Sequence, residues 1–424
     1  MTLSLNRRHI LQSTLLGVSA FALPISAYAQ TDARIVIIGG GFGGATTAMT
    51  LKKLLPNSSV TLIEVNALFT ACPFSNLVIG GLRDVSAQSF SYDALEAAGI
   101  KLIFDVASDV DPTGKTVRVG LDTVVPYDKL ILSPGVDLRF NALEGYDLDA
   151  AERLPHAWKA GPQTLLLQHR LQDVEDGEIV LMSVPPAPYR CPPGPYERAS
   201  LIANYLKTQK PRSKLIVLDA KEQFSKMALF QEAWAEHYPD HLEWRGASND
   251  GTVSRVDAET NTVYTDFESF QSTAINIIPP QKAGFIAERA GVTNSTGWCP
   301  IDPLSFESIL QSDIHVIGDA TIAAPMPKSA FSANLQGKVC AVAIARILAG
   351  LAPEPTILAN TCYSYTTPDE AISIAGVYSN DNAGLSSIAG AGGVSPLGAD
   401  KAVRNAEALQ AAHWFETITS EAFG

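Results

Sequence analysis

Arg34-Ile35-Val36-Ile37-Ile38-Gly39-Gly40-Gly41-Phe42-Gly43-Gly44 runs a short β-branched apolar stretch straight into a glycine-dense turn. The stretch has no polar alternation, so it reads as a parallel strand covered on both faces. Residues 45–55 then read as a helix stopped near Pro56, and Val60-Thr61-Leu62-Ile63-Glu64 as a second strand. Gly39, Gly41 and Gly44 occupy the positions of a G-x-G-x-x-G turn, with Phe42 and Gly43 between them. The first glycine permits the tight turn, the second lets backbone approach a pyrophosphate, and the third lets helix and strand pack closely. Phosphates there meet free N–H groups and the positive end of a helix. Glu64 lies 20 residues after Gly44 at the end of the second strand, where a carboxylate can accept from ribose hydroxyls. A lone glycine pattern is weak; with both strands, the helix and the acid in place it specifies a dinucleotide site.

Outward from this unit, residues 101–106 read as a third strand and 116–126 as a hairpin. Lys129-Leu130-Ile131-Leu132-Ser133 is a further strand ending at Pro134-Gly135. A second α/β unit begins near Glu178 with the strand Ile179-Val180-Leu181-Met182-Ser183, followed by a helix over 196–207 and a strand over 214–219. Where a second glycine turn would stand, the chain reads Ser183-Val184-Pro185-Pro186-Ala187-Pro188-Tyr189-Arg190-Cys191. Prolines remove N–H donors and stiffen the turn, so a pyridine nucleotide is not expected there. The chain returns to the first unit around 274–279. Ile314-His315-Val316-Ile317-Gly318-Asp319 is a strand ending in Gly-Asp, and residues 329–348 form a long helix. The tail beyond Cys362 is rich in Gly, Ser and Ala, with an amphipathic helix over 400–417.

The 424 residues are 46% hydrophobic and 18% charged, which suits a compact globular chain of two or three domains. A net charge of -13 argues against nucleic acid, whose phosphates need clustered cations, and fits either plain solubility or steering of a basic protein. Asn6-Arg7-Arg8-His9-Ile10-Leu11, an apolar run to Ile25 and Ala27-Tyr28-Ala29 resemble a twin-arginine export signal with its cleavage site. An ordinary secretory signal or anchor is the alternative. No later run approaches the ~18 apolar residues of a membrane span. The expected location is the periplasm, with no membrane insertion once the signal is removed.

Five cysteines stand at 72, 191, 299, 340 and 362. Disulfides persist in an oxidising compartment, and an odd count leaves at least one cysteine free, otherwise bound, or paired between chains. Cys-x-x-Cys-His is missing, so a c-type haem is not expected on this chain. Cys-x-x-Cys pairs and histidine clusters for a metal are missing too.

Cys191-Pro192-Pro193-Gly194-Pro195-Tyr196-Glu197-Arg198-Ala199, Thr70-Ala71-Cys72-Pro73 and Thr361-Cys362-Tyr363-Ser364 resemble the flavoprotein subunit of flavocytochrome c sulfide dehydrogenase, over nearly the whole mature chain. Sulfide:quinone oxidoreductases are more distant relatives of the same architecture. Ile317-Gly318-Asp319 resembles the second flavin motif of this class, whose Asp holds the ribityl chain; an ordinary Gly-Asp turn is the alternative. Pro134-Gly135 resembles its interdomain turn. The resemblance implies an α/β, glutathione-reductase-like fold of two Rossmann-like domains and a small C-terminal α+β domain. The expected segments are a signal over 1–29, an FAD-binding domain over 30–155 and 275–355, a second Rossmann-like domain without a NAD motif over 156–274, and a C-terminal domain over 356–424.

It also implies FAD held by Cys72 through a thioether to the flavin 8α-methyl carbon, and a redox-active disulfide between Cys191 and Cys362. Glu197, six residues after Cys191, becomes an acid/base beside that pair, and a c-type cytochrome subunit carries the haem in a heterodimer. Each role has a plainer counterpart: a buried thiol at Cys72, a structural staple for the pair, a helix-dipole carboxylate at Glu197. Lys328 and Ser329 open the late helix, which could stabilise negative charge on reduced flavin; a solvated lysine fits equally. Trp414 and Phe415 could face the flavin pocket or a partner, core packing being the plainer reading. Cys299 and Cys340 read as buried thiols, with a second disulfide as the alternative. The substrate implied is a small sulfur compound, sulfide first. The competing functions are a sulfide:quinone oxidoreductase and a non-catalytic flavin-bearing protein of a sulfur-oxidation complex.

Overall fold

Every strand of the first sheet pairs in parallel, which requires that each connection cross over a face. The computed structural model describes residues 32–381 and 384–424; the export signal expected over 1–29 lies outside them. The five strands run in the order Ile314–Val316, Lys129–Leu132, Arg34–Ile38, Ser59–Glu64, Lys101–Phe104. Strand order reverses at Arg34–Ile38, and the crevice beyond the carboxyl end of a parallel sheet at such a point is where nucleotides bind. The helix Phe42–Leu54 leaves that point and packs beside Ala330–Leu348, both sealed by the fully buried Ala45, Leu51, Ala341 and Ile344.

A second parallel sheet runs Leu242–Arg245, Lys214–Asp219, Ile179–Val184, Ile275–Ile277. Ile275–Ile277 pairs with Ile179–Val184, so the second unit keeps the chain past residue 274, where its end was expected. The reason is local: Ile275 and Ile277 are fully apolar and complete that sheet's far edge. The two linking segments then pair with each other, Val136–Leu138 against Gln281–Ala283, antiparallel.

The tail is more ordered than its small residues suggested. Ile357–Tyr365 and Ala371–Asp381 form a long antiparallel pair, joined by Gly384–Ser387 and Gly393–Val394. The last helix spans Lys401–Phe423, capped by the Asp400 side chain on Val403 N–H and running beyond the expected end at 417. Among the described residues no helix is long and apolar enough to cross a membrane.

Candidate active site

One cavity of about 650 Å³ runs from the glycine turn to the cysteines and is lined by all three units. At one end the glycines do what their positions required. Gly39 has φ +99°, and a Cβ there would lie 2.3 Å from Ser133 O. A Cβ at Gly44 would lie 1.9 Å from Gly39 O, so Gly44 serves the packing of helix on strand, while Gly39, Gly41, Phe42 and Gly43 line the cavity. Glu64 accepts from Gly40 N–H at 2.7 Å and from Asn66 N–H at 3.0 Å, and faces the same space. Pro134, Gly135, Gly318 and Asp319 complete this wall.

The donor set fits a dinucleotide. Asp319 is the clearest sign: its Oδ1 is buried with no hydrogen-bond partner among the described residues, and burial pushes its carboxyl above the usual range. Buried polar atoms are rarely left unpaired, so a ligand hydroxyl is the expected partner. Asp219, at the equivalent strand end of the second unit, is different. It is fully buried and accepts from Tyr196 Oη (2.7 Å), Trp244 Nε1 (3.0 Å), Lys221 Nζ (2.6 Å) and Lys221 N (3.1 Å). Those four bonds use up the acceptor capacity of a carboxylate.

Lys328 departs from expectation. Its ammonium donates to Asp319 O (2.8 Å) and Thr321 O (2.6 Å), lies 3.8 Å from the Trp298 ring centre, and does not line the cavity. Burial lowers its pKa to about 8. The lysine instead clamps the sulfur loop, since its carbonyl accepts from Cys191 N–H at 2.8 Å.

Cys72, Cys191, Cys362 and Glu197 all line the same cavity. Cys72 sits in the turn before Ser75–Ile79, its carbonyl accepting from Ser75 Oγ at 2.7 Å. Cys191 has φ +54°, a left-handed conformation unusual outside glycine and costing on the order of 1 kcal/mol. Glu197 lies in the first turn of Gly194–Gln209. Cys362 comes from the strand Ile357–Tyr365. All five cysteines are free thiols, so the expected bond between Cys191 and Cys362 is not formed in this structure. The two are close enough to interact electrostatically, and burial pushes both thiols upward. Cys299 and Cys340 are fully buried away from the cavity. Trp414 lines the cavity, whereas Phe415 stacks on Phe74 at 4.7 Å in the core.

Four polar side chains that were not among the candidate site residues, Asn76, Arg190, Arg198 and Lys226, surround the sulfurs and Glu197. Asn76 Nδ2 donates to Glu197 Oε2 at 2.7 Å, and Tyr365 N–H to Glu197 Oε1 at 2.9 Å. Burial still pushes Glu197 up, against those bonds and the pull of Lys226 and Arg198. Arg198 Nε donates to Asn76 Oδ1 (3.0 Å), and its guanidinium continues to His156 O, Ala157 O and Asn276 Oδ1. Burial lowers it to about 9. Burial also opposes the charge of Arg190, but Cys72, Asp319 and Cys191 hold its pKa up. Lys226, lowered by burial to about 8, donates to Cys362 O (3.2 Å), Ser364 Oγ (2.9 Å) and Ile372 O (3.2 Å). Arg198 stands beside Glu197 in sequence and could have been suspected; Lys226 lies 136 residues from Cys362, and nothing local announces it.

Residues 164–279 match the family model for the central part of the sulfide dehydrogenase [flavocytochrome c] flavoprotein chain, and 353–423 the flavocytochrome c sulphide dehydrogenase flavin-binding model. Residues 33–167 match the pyridine nucleotide-disulphide oxidoreductase model. The chain is 60% identical over 45 residues to the sulfide dehydrogenase [flavocytochrome c] flavoprotein chain of Chlorobaculum thiosulfatiphilum, spanning 94% of that sequence and 11% of this one. It is 21% identical over 318 residues to mitochondrial sulfide:quinone oxidoreductase of Mus musculus, covering 69% of this chain and 66% of that protein. The X-ray structure of the Aquifex aeolicus sulfide:quinone oxidoreductase superposes with a TM-score of 0.73 at 18% identity, covering 92% of each chain, a likeness of fold.

Proposed function

This chain belongs to the flavocytochrome c sulfide dehydrogenase flavoprotein family, FAD-dependent sulfide oxidoreductases related to the sulfide:quinone oxidoreductases, and from that membership we propose that it oxidises sulfide in the periplasm and delivers the electrons to a c-type cytochrome subunit. The observation that carries this reading is the single cavity joining a dinucleotide turn to Cys191, Cys362 and Glu197. Bound FAD supplies the two-electron acceptor. Gly39, Gly41, Gly43, Glu64 and Asp319 would hold it, and Cys72 would carry it covalently.

The chain's own part is sulfur exchange. With Cys191 and Cys362 joined, hydrosulfide attacks one sulfur; a new S–S bond forms, the old one breaks, and a persulfide and a thiolate remain. Glu197, protonated to higher pH than an exposed carboxylate, holds or takes a proton beside the pair.

The test is mass spectrometry of denatured, non-reduced holoprotein together with anaerobic sulfide titration. Expected are FAD mass on the Cys72 peptide, a Cys191–Cys362 cross-link, and sulfide-dependent bleaching that disappears in Cys191→Ser. Bleaching that survives in Cys191→Ser would sink the sulfur-exchange reading; flavin that washes away would remove only the Cys72 link.

A further inference from the structure

We propose that Cys362 is the sulfur that leaves as thiolate and Cys191 the sulfur that takes the persulfide, because a hydrogen-bond donor and a buried cation converge on Cys362 while, among the described residues, no side chain donates to Cys191. This rests on the disulfide reading above. Asn360 and Cys362 lie two residues apart on one strand, hence on one face of it. Asn360 is only 2% exposed, and its Oδ1 is occupied by the hydroxyls of Ser329 and Ser332 (the latter at 3.1 Å). That sets the amide's orientation: its Nδ2 is the nearer atom to Cys362 and donates to Sγ at 3.3 Å, while the protonated thiol can donate to Oδ1 at the longer distance of 3.8 Å. Ser329 is also the N-cap of Ala330–Leu348, so the positive end of a 19-residue helix lies behind this cluster.

From another unit comes Lys226, whose three hydrogen bonds all go to neutral oxygens, one of them the carbonyl of Cys362 itself. No carboxylate pairs directly with this ammonium among the described residues; the groups that feel its charge are Cys362 first, then Glu197, Cys191 and Glu407. Among the described residues Cys191 is held by backbone bonds: its N–H donates to Lys328 O and its carbonyl accepts from Gly194 N–H, both at 2.8 Å. Burial raises both thiols. At Cys362, Asn360, Lys226 and Ser329 pull back down while Glu197 pushes up; at Cys191, Cys362 and Glu197 add to the rise, with Arg190 and Lys226 opposing. Tyr378 is the other titratable group facing Cys362.

The more acidic thiol is the faster leaving group. Hydrosulfide therefore bonds to Cys191 Sγ, the Cys191–Cys362 bond breaks, its electron pair stays on Cys362 Sγ, and the hydrogen of hydrosulfide remains on the outer persulfide sulfur. No further reactant is needed.

The experiment is an acid-quenched trap: oxidised holoprotein, one equivalent of sulfide without oxygen, alkylation, and peptide mapping without reductant. Expected is one added sulfur on the Cys191 peptide with Cys362 alkylated directly. Added sulfur on Cys362 overturns the assignment while leaving the disulfide reading intact. If no cross-link exists before sulfide and neither cysteine gains sulfur, the disulfide reading itself fails and the assignment falls with it. Lys226→Met then tests the cause in reduced protein. Cys362 should be alkylated about ten-fold more slowly at fixed pH, with its profile shifted up by about one unit, while Cys191 shifts in the same direction by less. Lys226→Arg should restore most of the rate. An unchanged Cys362 profile in a folded Lys226→Met protein overturns the role of the lysine.

Discussion

Glu197 and Arg198 are neighbours in sequence, yet the fold uses them in opposite ways. Arg198 is 2% exposed, stacks 4.9 Å over Trp158, and bridges residues of three separate segments through Asn76, His156, Ala157 and Asn276. Removing one member of so buried a network strands the rest. Arg198→Met should lower unfolding stability by about 3–5 kcal/mol, read as a shift in urea midpoint. Glu197 makes a prediction in pH. Burial raises its folded pKa above the unfolded value, so the fold binds this proton more tightly than the unfolded chain does. Its contribution is therefore fully present below the ordinary carboxylate range of about 4.3 and is lost as pH rises through the raised value. Glu197→Gln cannot titrate, so urea midpoints measured across that window should lack the wild type's decline. The variant is not isosteric in hydrogen bonding. With Oε1 kept by Tyr365 N–H, the new amide meets Asn76 Nδ2, and Asn76 cannot turn over without surrendering Arg198. A cost of about 1–3 kcal/mol at low pH follows, against which the neutral-pH gap between the two proteins should narrow.

The last helix shows what patterning conceals. Its inward face includes Arg404 and Glu407 as well as Ala408, Ala411, Phe415, Ile418 and Phe423. Arg404 reaches Glu232 at 3.0 Å and Pro396 O at 2.8 Å, while Glu407 accepts from Ser373 and Ser395. Two buried charges on the apolar stripe blur its periodicity, and the packing of Ile418, Ala422 and Phe423 carries the helix past the expected end at 417. The strands around the glycine turn were legible because β-branched runs and Gly/Pro punctuation agree there. The strands of the tail were not, since Gly-, Ser- and Ala-rich segments form sheet only when a partner pairs along them, as Ile357–Tyr365 does with Ala371–Asp381. Phe423 closes the aromatic cluster, touching Phe42, Phe69, Phe90 and Tyr92, with ring centres 4.9–6.0 Å apart. Phe423→Ala should cost about 3–5 kcal/mol. Phe42 and Phe69 also line the cavity, so its loss should speed the exchange of any flavin not covalently held, measured by flavin fluorescence after dilution.

The three units contribute different sulfurs to one cavity: Cys72 from the glycine-turn unit, Cys191 from the proline loop of the second, Cys362 from the tail sheet. Their meeting was suggested only by resemblance to a family, since no local pattern links positions so far apart in the chain; the αL backbone of Cys191 and the lysine behind Cys362 were beyond even that. The assembled molecule also bears on which acceptor takes the electrons. The full sequence carries a net charge of -13, and opposite charge on a partner speeds encounter in a way that salt suppresses. If a basic c-type cytochrome is the acceptor, the second-order rate of its reduction by sulfide-reduced protein should fall several-fold as ionic strength rises from about 0.01 to 0.3 M, over which the Debye length shrinks from ~30 Å to under 10 Å. Reduction of a neutral quinone analogue has no such charge term, so its rate should stay nearly flat over the same range. Stopped-flow measurement of both acceptors on one preparation separates the alternatives. Fast, salt-insensitive quinone reduction beside slow cytochrome reduction would place this chain with the quinone-linked relatives and remove the cytochrome from the proposal, leaving the sulfur chemistry at Cys191 and Cys362 untouched.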